Sequence, residues 1–367
     1  VKLWDGSTPW LVTRYDDVRT VLAGPRVSAD NERPGYPSIN AAVTASRRRA
    51  KSFINLDDPQ HAAQRRLLTQ DFMVKKMEAL RPWLQRIVDE LIDGMLAGPK
   101  PADLVEALAL PLPSLVICKL LGVPYADHDF FQRVSKKLIA HDTTEEDSLA
   151  AVDELLGYLR DLVDRKNEEP GDDLLSRLAV EQLRTGAMTR DQIASMGRLL
   201  LSAGHETTAN MIALGTVALL ENPAQLAQVR ESDDPKLIAN AVEELLRYLT
   251  ITHSGRRRVA LEDIEIGGEV IREGEGIIAA NDIANRDGAA FPRPDALDVR
   301  RKARHHLAFG YGVHQCLGQP LARVELQVVY GTLYRRVPTL ALAVPVEDLR
   351  FKRDMAVYGV HELPVTW

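Results

Sequence analysis

The sequence predicts a mainly α fold with a small β-rich lobe. Three observations carry that expectation. Apolar residues recur at helical spacing over most of the first 250 residues, and one such stretch runs for about 30 residues. Residues 256–284 instead alternate and turn at Gly267-Gly268, the grammar of a β-hairpin. No Gly/Ser linker, internal repeat or low-complexity segment interrupts the chain, so residues 1–367 are expected to form a single domain.

Taken in order, "WLVTRYDDVRTVLA" at the N-terminus reads as a short strand followed by a helix. Residues 31–52, rich in Pro, Ser, Asn and Arg, are expected to be a long loop, and loops of that length inside compact domains are often binding loops. Asp58-Pro59 supplies an N-cap followed by proline at the first helical position. Helical periodicity then runs over about 60–97, 103–121, 144–164 and 189–220. The last of these opens with Thr189 and Gln192, a capping-box pair, and stops before Pro223. Its length, roughly 45 Å at helical rise, would cross a whole domain, so it is expected to be the central helix. A shorter amphipathic helix is expected over 235–249. A proline-containing loop follows the hairpin, then "FGYGVHQCLG" (309–318), then a helix over 319–335 opened by Gly318 and Pro320.

Composition excludes several function classes. Lys and Arg total 46 against 52 Asp and Glu, a net charge of −6 that argues against general binding to nucleic acid. Two cysteines, Cys118 and Cys316, cannot build a disulfide framework, which points to a reducing cytoplasm. The most apolar run, "LVEALALPLPSLVICKLLGVP", carries a glutamate, a lysine and three prolines and is not a membrane span. Val1 has no basic-then-apolar leader behind it, so no signal peptide is expected, and the N-terminus reads as trimmed.

Cys316 raises the sharpest question. It lies just before a helix start, where the helix dipole and free N–H groups favour a thiolate. Gly310, Gly312 and Gly318 let the backbone approach a ligand closely, and Phe309 would shield the sulfur. Together these suggest an anionic sulfur held against a flat or bulky group. A buried inert thiol and a nucleophile with a distant histidine base stay open; a zinc site lacks a second cysteine nearby.

"FGYGVHQCLG" resembles the haem-binding loop of the cytochrome P450 family, Phe-Gly-x-Gly-x-His-x-Cys-x-Gly. The resemblance implies the fold of that family, with the long helix lying over haem b (protoporphyrin IX iron) and Cys316 as the axial thiolate on iron. Phe309, Gly310, His314 and Gly318 would border the cofactor. Three further matches lie in order along nearly the whole chain.

The first is "LSAGHETTAN" in the central helix. Gly204 in a helix interior costs about 1 kcal/mol, and a small residue beside Ala203 would let a flat ligand lie against the helix. Glu206 and Thr207 set an acid beside an alcohol, which alone is as well explained by two polar residues facing solvent. The stretch is similar to the family's Ala/Gly-Gly-x-Asp/Glu-Thr. That implies a groove for O2, with Thr207 as its hydrogen-bonding alcohol, Glu206 relaying protons from solvent, and a lesser role for Thr208. The second is "EELLRY", where Glu244 and Arg247 share one helix face. In the family Glu-x-x-Arg is a buried structural pair behind the haem loop. Ala296 stands where an arginine commonly completes that pair, and Arg300, His305 or His306 are the expected substitutes. The third is a set of propionate clamps. His61 and Arg65 match the family's His-x-x-x-Arg, and Arg258 matches the arginine opening the hairpin, although Arg256 and Arg257 lie close enough to take its place. His314 is the fourth.

The resemblance implies a haem-thiolate monooxygenase of the soluble, actinobacterial type, hydroxylating or epoxidising a bulky hydrophobic small molecule such as a polyketide, terpenoid or steroid. Leu200, Ala203, Thr207, Ile251, Thr252 and Val357 are expected to line the substrate pocket, with residues 34–50 as a lid. No strand–GxGxxG–helix unit is present, so electrons are expected from a ferredoxin and its ferredoxin reductase. Arg66, Lys75, Lys76, Arg301, Lys302, Arg304 and Arg323 are the candidates for its docking face. The alternatives are a haem-bound sensor or carrier, which would need no proton relay, and a peroxide-driven oxidase or coupling enzyme of the same fold. Neither a membrane nor a nucleic acid is expected as a partner.

Overall fold

The computed structural model describes residues 1–139, 143–353 and 355–367. The chain opens with β1 (Trp10–Val12), α1 (Tyr15–Ala23) and β2 (Val27–Ser28). The stretch expected to be one long loop contains α2 (Ala41–Arg49). Asn40 caps it by accepting from the Val43 N–H at 2.8 Å, and alanines behind the cap supply helix propensity that the surrounding Pro and Ser conceal. Arg49 Nε donates to Asp153 at 2.7 Å, so the expected lid is a helix tethered to its neighbour.

The 60–97 periodicity is broken into α3 (Gln60–Thr69), α4 (Val74–Ala79) and α5 (Arg81–Ala97). Met73 is extended, with φ −61° and ψ 142°, and Pro82 sits in the first turn of α5. The first helix starts one residue later than expected, yet Asp58 still serves its end by accepting from the Ala62 N–H at 3.0 Å. After β3 (Ala102–Asp103), the next stretch begins with a π turn over Val105–Ala109 before α6 (Pro111–Leu121), because Pro111 and Pro113 have no N–H to continue the ladder. Then come α7 (His128–Ile139), α8 (Glu145–Glu168) and α9 (Leu174–Leu178).

The central helix α10 (Arg190–Leu220) has 31 residues and carries the capping box expected of it: Gln192 N–H donates to Thr189 Oγ1, and Thr189 N–H donates to Gln192 Oε1. α11 (Pro223–Glu231) and α12 (Pro235–Leu249) follow. In the β lobe, β4 (Arg256–Ala260) pairs antiparallel with β7 (Gly276–Ala279) and brackets a hairpin of β5 (Ile264–Ile266) and β6 (Glu269–Ile271). Gly267 and Gly268 both have positive φ, as a two-residue turn of this hand requires. The four-stranded sheet runs β1-β7-β4-β2. After α13 (Asn281–Ala284) and the cysteine loop comes α14 (Gln319–Arg336); β8 (Ala341–Leu342) and β9 (Pro364–Thr366) join β3 in a three-stranded sheet.

One large apolar core surrounds α10, and a smaller one lies between α1 and the four-stranded sheet. The crossing of α14 over α10 fixes the site. Tyr330 Oη donates to Met211 O at 2.5 Å, and a Cβ on Gly215 would sit 1.9 Å from that hydroxyl. Only glycine permits the approach, so the helix that begins just after Cys316 is locked against the central helix. Among the described residues no helix is long and apolar enough to cross a membrane.

Candidate functional site

The cysteine loop is held from several directions. Asn285 Oδ1 accepts from Leu307 N–H at 2.7 Å, and Asn281 Nδ2 donates to Leu307 O at 2.6 Å. Cys316 N–H closes the loop onto Phe309 O at 2.8 Å, and the Arg65 guanidinium donates to Gln315 O at 2.6 Å. Gly310 and Gly312 have φ of 75° and 73°. A Cβ on Gly312 would lie 2.2 Å from Leu22 O, so this glycine answers to α1 rather than to a ligand.

Cys316 lines a cavity of about 380 Å³. Phe309, Gly310 and Gly318 share its wall, α10 contributes Leu200, Ala203, Gly204, Thr207 and Thr208, and Ile251 and Thr252 close one end. Burial pushes the Cys316 thiol up, outweighing Arg256, the Gly318 N–H, Arg65 and Arg323, which pull it down. The helix start alone therefore does not make this sulfur a thiolate; a bound cation such as iron would.

Arg65, Arg258 and His314 border the same cavity, and His61 stands behind with its ring 4.0 Å from that of His314. Burial, then Arg258, His61 and Arg65, push His314 down to about 3, with only Asp58 opposing. His314 Nδ1 and His61 Nε2 are buried without a hydrogen-bond partner. Such an excess of cationic and N–H groups beside an enclosed sulfur fits a flat iron-bearing group with two carboxylates, so the haem expected from the resemblance suits this cradle. On β4, Arg256, Arg257 and Arg258 all line the cavity, so the lining alone does not single out Arg258 among the three.

The central helix divides its roles by face. Ala203 is open to the cavity, and Thr207 Oγ1 donates to Ala203 O at 2.7 Å. Gly204 lines the cavity too, but a Cβ there would meet Ile117 of α6 at 2.9 Å, so its smallness serves helix packing. Glu206 is buried on another face. Its Oε2 lies 3.5 Å from Lys352 Nζ, and the Asn210 amide donates to its backbone carbonyl at 2.8 Å.

Glu244 and Arg247 are fully buried and bidentate, at 2.7 and 2.8 Å. Their third partner is Arg301, whose Nε donates to Glu244 Oε1 at 3.0 Å. None of the expected substitutes does this: Arg300 bonds Gln228, His305 stacks on Phe291, and His306 bonds Glu243. Arg301 and Arg323 are thereby internal ion-pair partners and leave the proposed docking face; Arg66, Lys75, Lys76, Lys302 and Arg304 are exposed, Lys76 pairing with Asp71 at 3.2 Å. Val357 is also corrected. It packs in the main core and does not line the cavity, whereas the neighbouring Tyr358 ties the C-terminal segment to Ile251 through an N–H···O bond of 2.8 Å.

Sequence reasoning missed Lys352 and Glu325. Glu325 lines the cavity from α14, is 1% exposed, and leaves Oε2 without a partner. Its signal was available: it sits four residues after Leu321, on the buried face of the helix. Burial raises its pKa from 4.5 to about 8. Between those values the folded chain holds a proton that the unfolded chain has lost, so stability should fall as pH rises from 4.5 to about 8. Glu325→Gln is expected to flatten that slope, about 1.4 kcal/mol per pH unit, in urea unfolding of the holoprotein at several pH values. An unchanged slope would refute the assignment.

Comparison with known proteins adds a family. The family model described as "Cytochrome P450" matches residues 1–337. Cytochrome P450 GfsF of Streptomyces halstedii is 58% identical over all of this chain and 89% of its own length, and its crystal structure superposes with a TM-score of 0.93 over 92% of that chain. Vitamin D3 dihydroxylase of Streptomyces griseolus is 48% identical over the whole chain and 90% of its own. The crystal structure of mycinamicin VIII C21 methyl hydroxylase from Micromonospora griseorubida, bound to mycinamicin VIII, covers all of this chain and 92% of its own at 43% identity and a TM-score of 0.94.

Proposed function

This chain belongs to the cytochrome P450 family and is a monooxygenase of it, and from that premise we propose that it hydroxylates a bulky apolar natural product with electrons from a ferredoxin. The observation that carries the reading is one cavity shared by Cys316, the rim of Arg65, Arg258 and His314, and the Ala203–Thr207 face of α10. In it Cys316 is the iron ligand. Arg65, Arg258 and His314 hold the propionates, with His61 backing the His314 ring. When bound, haem b supplies the redox chemistry that splits O2, placing one oxygen atom in the substrate and releasing the other as water with two electrons and two protons. Thr207 presents its hydroxyl to the oxygen side of the cavity. Glu206 moves protons toward it from the Lys352 face.

Leu200, Ala203 and Ile251, with Thr252 among them, make part of the lining mainly apolar, which suits a polyketide, terpenoid or steroid-like substrate held by burial more than by hydrogen bonds. Two relatives named above carry vitamin D3 and mycinamicin VIII in their names, which supports a bulky substrate here. Exposed Arg66, Lys75, Lys76, Lys302 and Arg304 remain as candidates for a basic docking surface for an acidic iron–sulfur donor.

The test uses purified holoprotein with a ferredoxin, its reductase, labelled dioxygen and a panel of macrolide, sesquiterpene and steroid compounds. The expected result is a substrate-induced spin shift with one member and a product carrying one labelled oxygen. A product without label from dioxygen, or turnover driven by peroxide alone at the same rate, would overturn the reading. The reduced carbon monoxide complex should show the red-shifted thiolate band, and Cys316→Ala should abolish it.

A further inference from the structure

Behind the cysteine loop, two side chains from two segments meet at a carboxylate from a third. Glu243 comes from α12, beside Glu244 but on a different face. Its Oε1 accepts from Arg323 Nε of α14 at 2.6 Å, and its Oε2 accepts from Arg323 Nη2 at 3.0 Å and from His306 Nε2 at 3.1 Å. The His306 tautomer follows from its other nitrogen. Nδ1 accepts from Ala308 N–H at 3.1 Å, so Nε2 carries the proton given to Glu243. Arg323 Nη1 reaches Gln319 Oε1 at 2.7 Å. The guanidinium lies 4.7 Å from the centre of the Phe309 ring, and the His306 ring lies 5.7 Å from the same centre. Phe309 O in turn accepts the Cys316 N–H. Glu243 and His306 are buried, and the Arg323 side chain is 19% exposed. Burial opposes the charge on Glu243, yet His306 and Arg323 bring its carboxyl down to about 2, so it is ionised at neutral pH.

We propose that Glu243, His306 and Arg323 form a charge-balanced brace that positions Phe309 against Cys316 and sets how strongly the sulfur donates to the iron. The inference rests on the assignment of Cys316 as the iron ligand. The brace holds a cation and an imidazole against the aromatic ring of the residue whose carbonyl accepts the Cys316 N–H, which restrains that ring beside the sulfur loop. It also cancels the Arg323 charge, which would otherwise act on the sulfur at full strength through a poorly screened interior. These are positioning residues: none touches substrate, and their effect passes through Phe309 and the sulfur.

The two charges make opposite predictions. Glu243→Gln leaves Arg323 uncompensated, which weakens sulfur donation and should shift the midpoint potential of the holoprotein upward. Arg323→Gln leaves Glu243 uncompensated and should shift it downward. The double variant should return close to wild type. Spectroelectrochemical titration reads the potentials, and the reduced carbon monoxide spectrum reads the ligand in each sample. Should Arg323→Gln fail to hold haem, Arg323→Lys retains the charge and should shift the potential less than Glu243→Gln does. Shifts of the same sign in the two single variants, an Arg323→Lys shift as large as that of Glu243→Gln, or potentials that do not move while the thiolate band is normal would overturn the brace alone. A wild-type holoprotein without the thiolate band would overturn the ligand assignment as well.

Discussion

Arg247→Ala is expected to destabilise the protein by about 3–5 kcal/mol, the penalty of stranding a buried charge once its partner is removed. Glu244 and Arg247 are both fully buried, so neither can turn to water when the other is lost. Arg247 does more than neutralise Glu244. It also donates to Asn285 O at 3.0 Å and Pro294 O at 2.8 Å, and the Asn285 side chain holds Leu307 at the entrance of the cysteine loop. Its loss therefore loosens the loop as well as leaving the buried Glu244 carboxylate without its bidentate partner and with Arg301 alone to balance it. Arg301→Ala is expected to cost less, because Glu244 keeps Arg247 and accepts the Asp298 N–H at 3.0 Å. Urea unfolding followed by circular dichroism and by haem absorbance measures both. Equal midpoints for wild type and Arg247→Ala would remove the argument that this pair organises the loop.

The parts of this architecture that the sequence makes legible are those whose cause is local. The capping box, the helical period and the stop before Pro223 define α10 to within a residue. Paired glycines define the hairpin turn between β5 and β6. The cysteine loop declares itself because its chemistry, glycines around one sulfur, is contained in ten consecutive residues. What stayed hidden depends on distant closure. Arg301 lies 57 residues from Glu244, and Lys352 lies 146 residues from Glu206; nothing local distinguishes either from a solvated cation. Glu243 was masked by its neighbour for a geometric reason. Consecutive helical residues point about 100° apart, so the two glutamates of one motif serve different networks, and only the second belongs to the recognised pattern. α2 was hidden for the opposite reason, because flanking Pro and Ser outweighed a short alanine-rich core.

The acid and the alcohol of α10 should separate in their kinetic effects. Thr207 faces the cavity, so Thr207→Ala is expected to leave electron consumption near its wild-type rate while product formed per electron falls steeply. Glu206 faces Lys352 instead, so Glu206→Gln should slow electron consumption and product formation together, by about 10²–10³ in kcat, and raise the solvent isotope effect. The reason is positional. A carboxylate paired with an ammonium and one residue from the threonine can pass protons inward, whereas an amide in the same place cannot. Parallel measurement of NADPH oxidation, product and peroxide in each variant tests this with the ferredoxin system in place. If Glu206→Gln leaves both rate and isotope effect unchanged, protons enter by another route. Glu325 is then the group to change next, since its carboxyl lines the same cavity and is pushed up to about 8, which keeps it protonated at neutral pH.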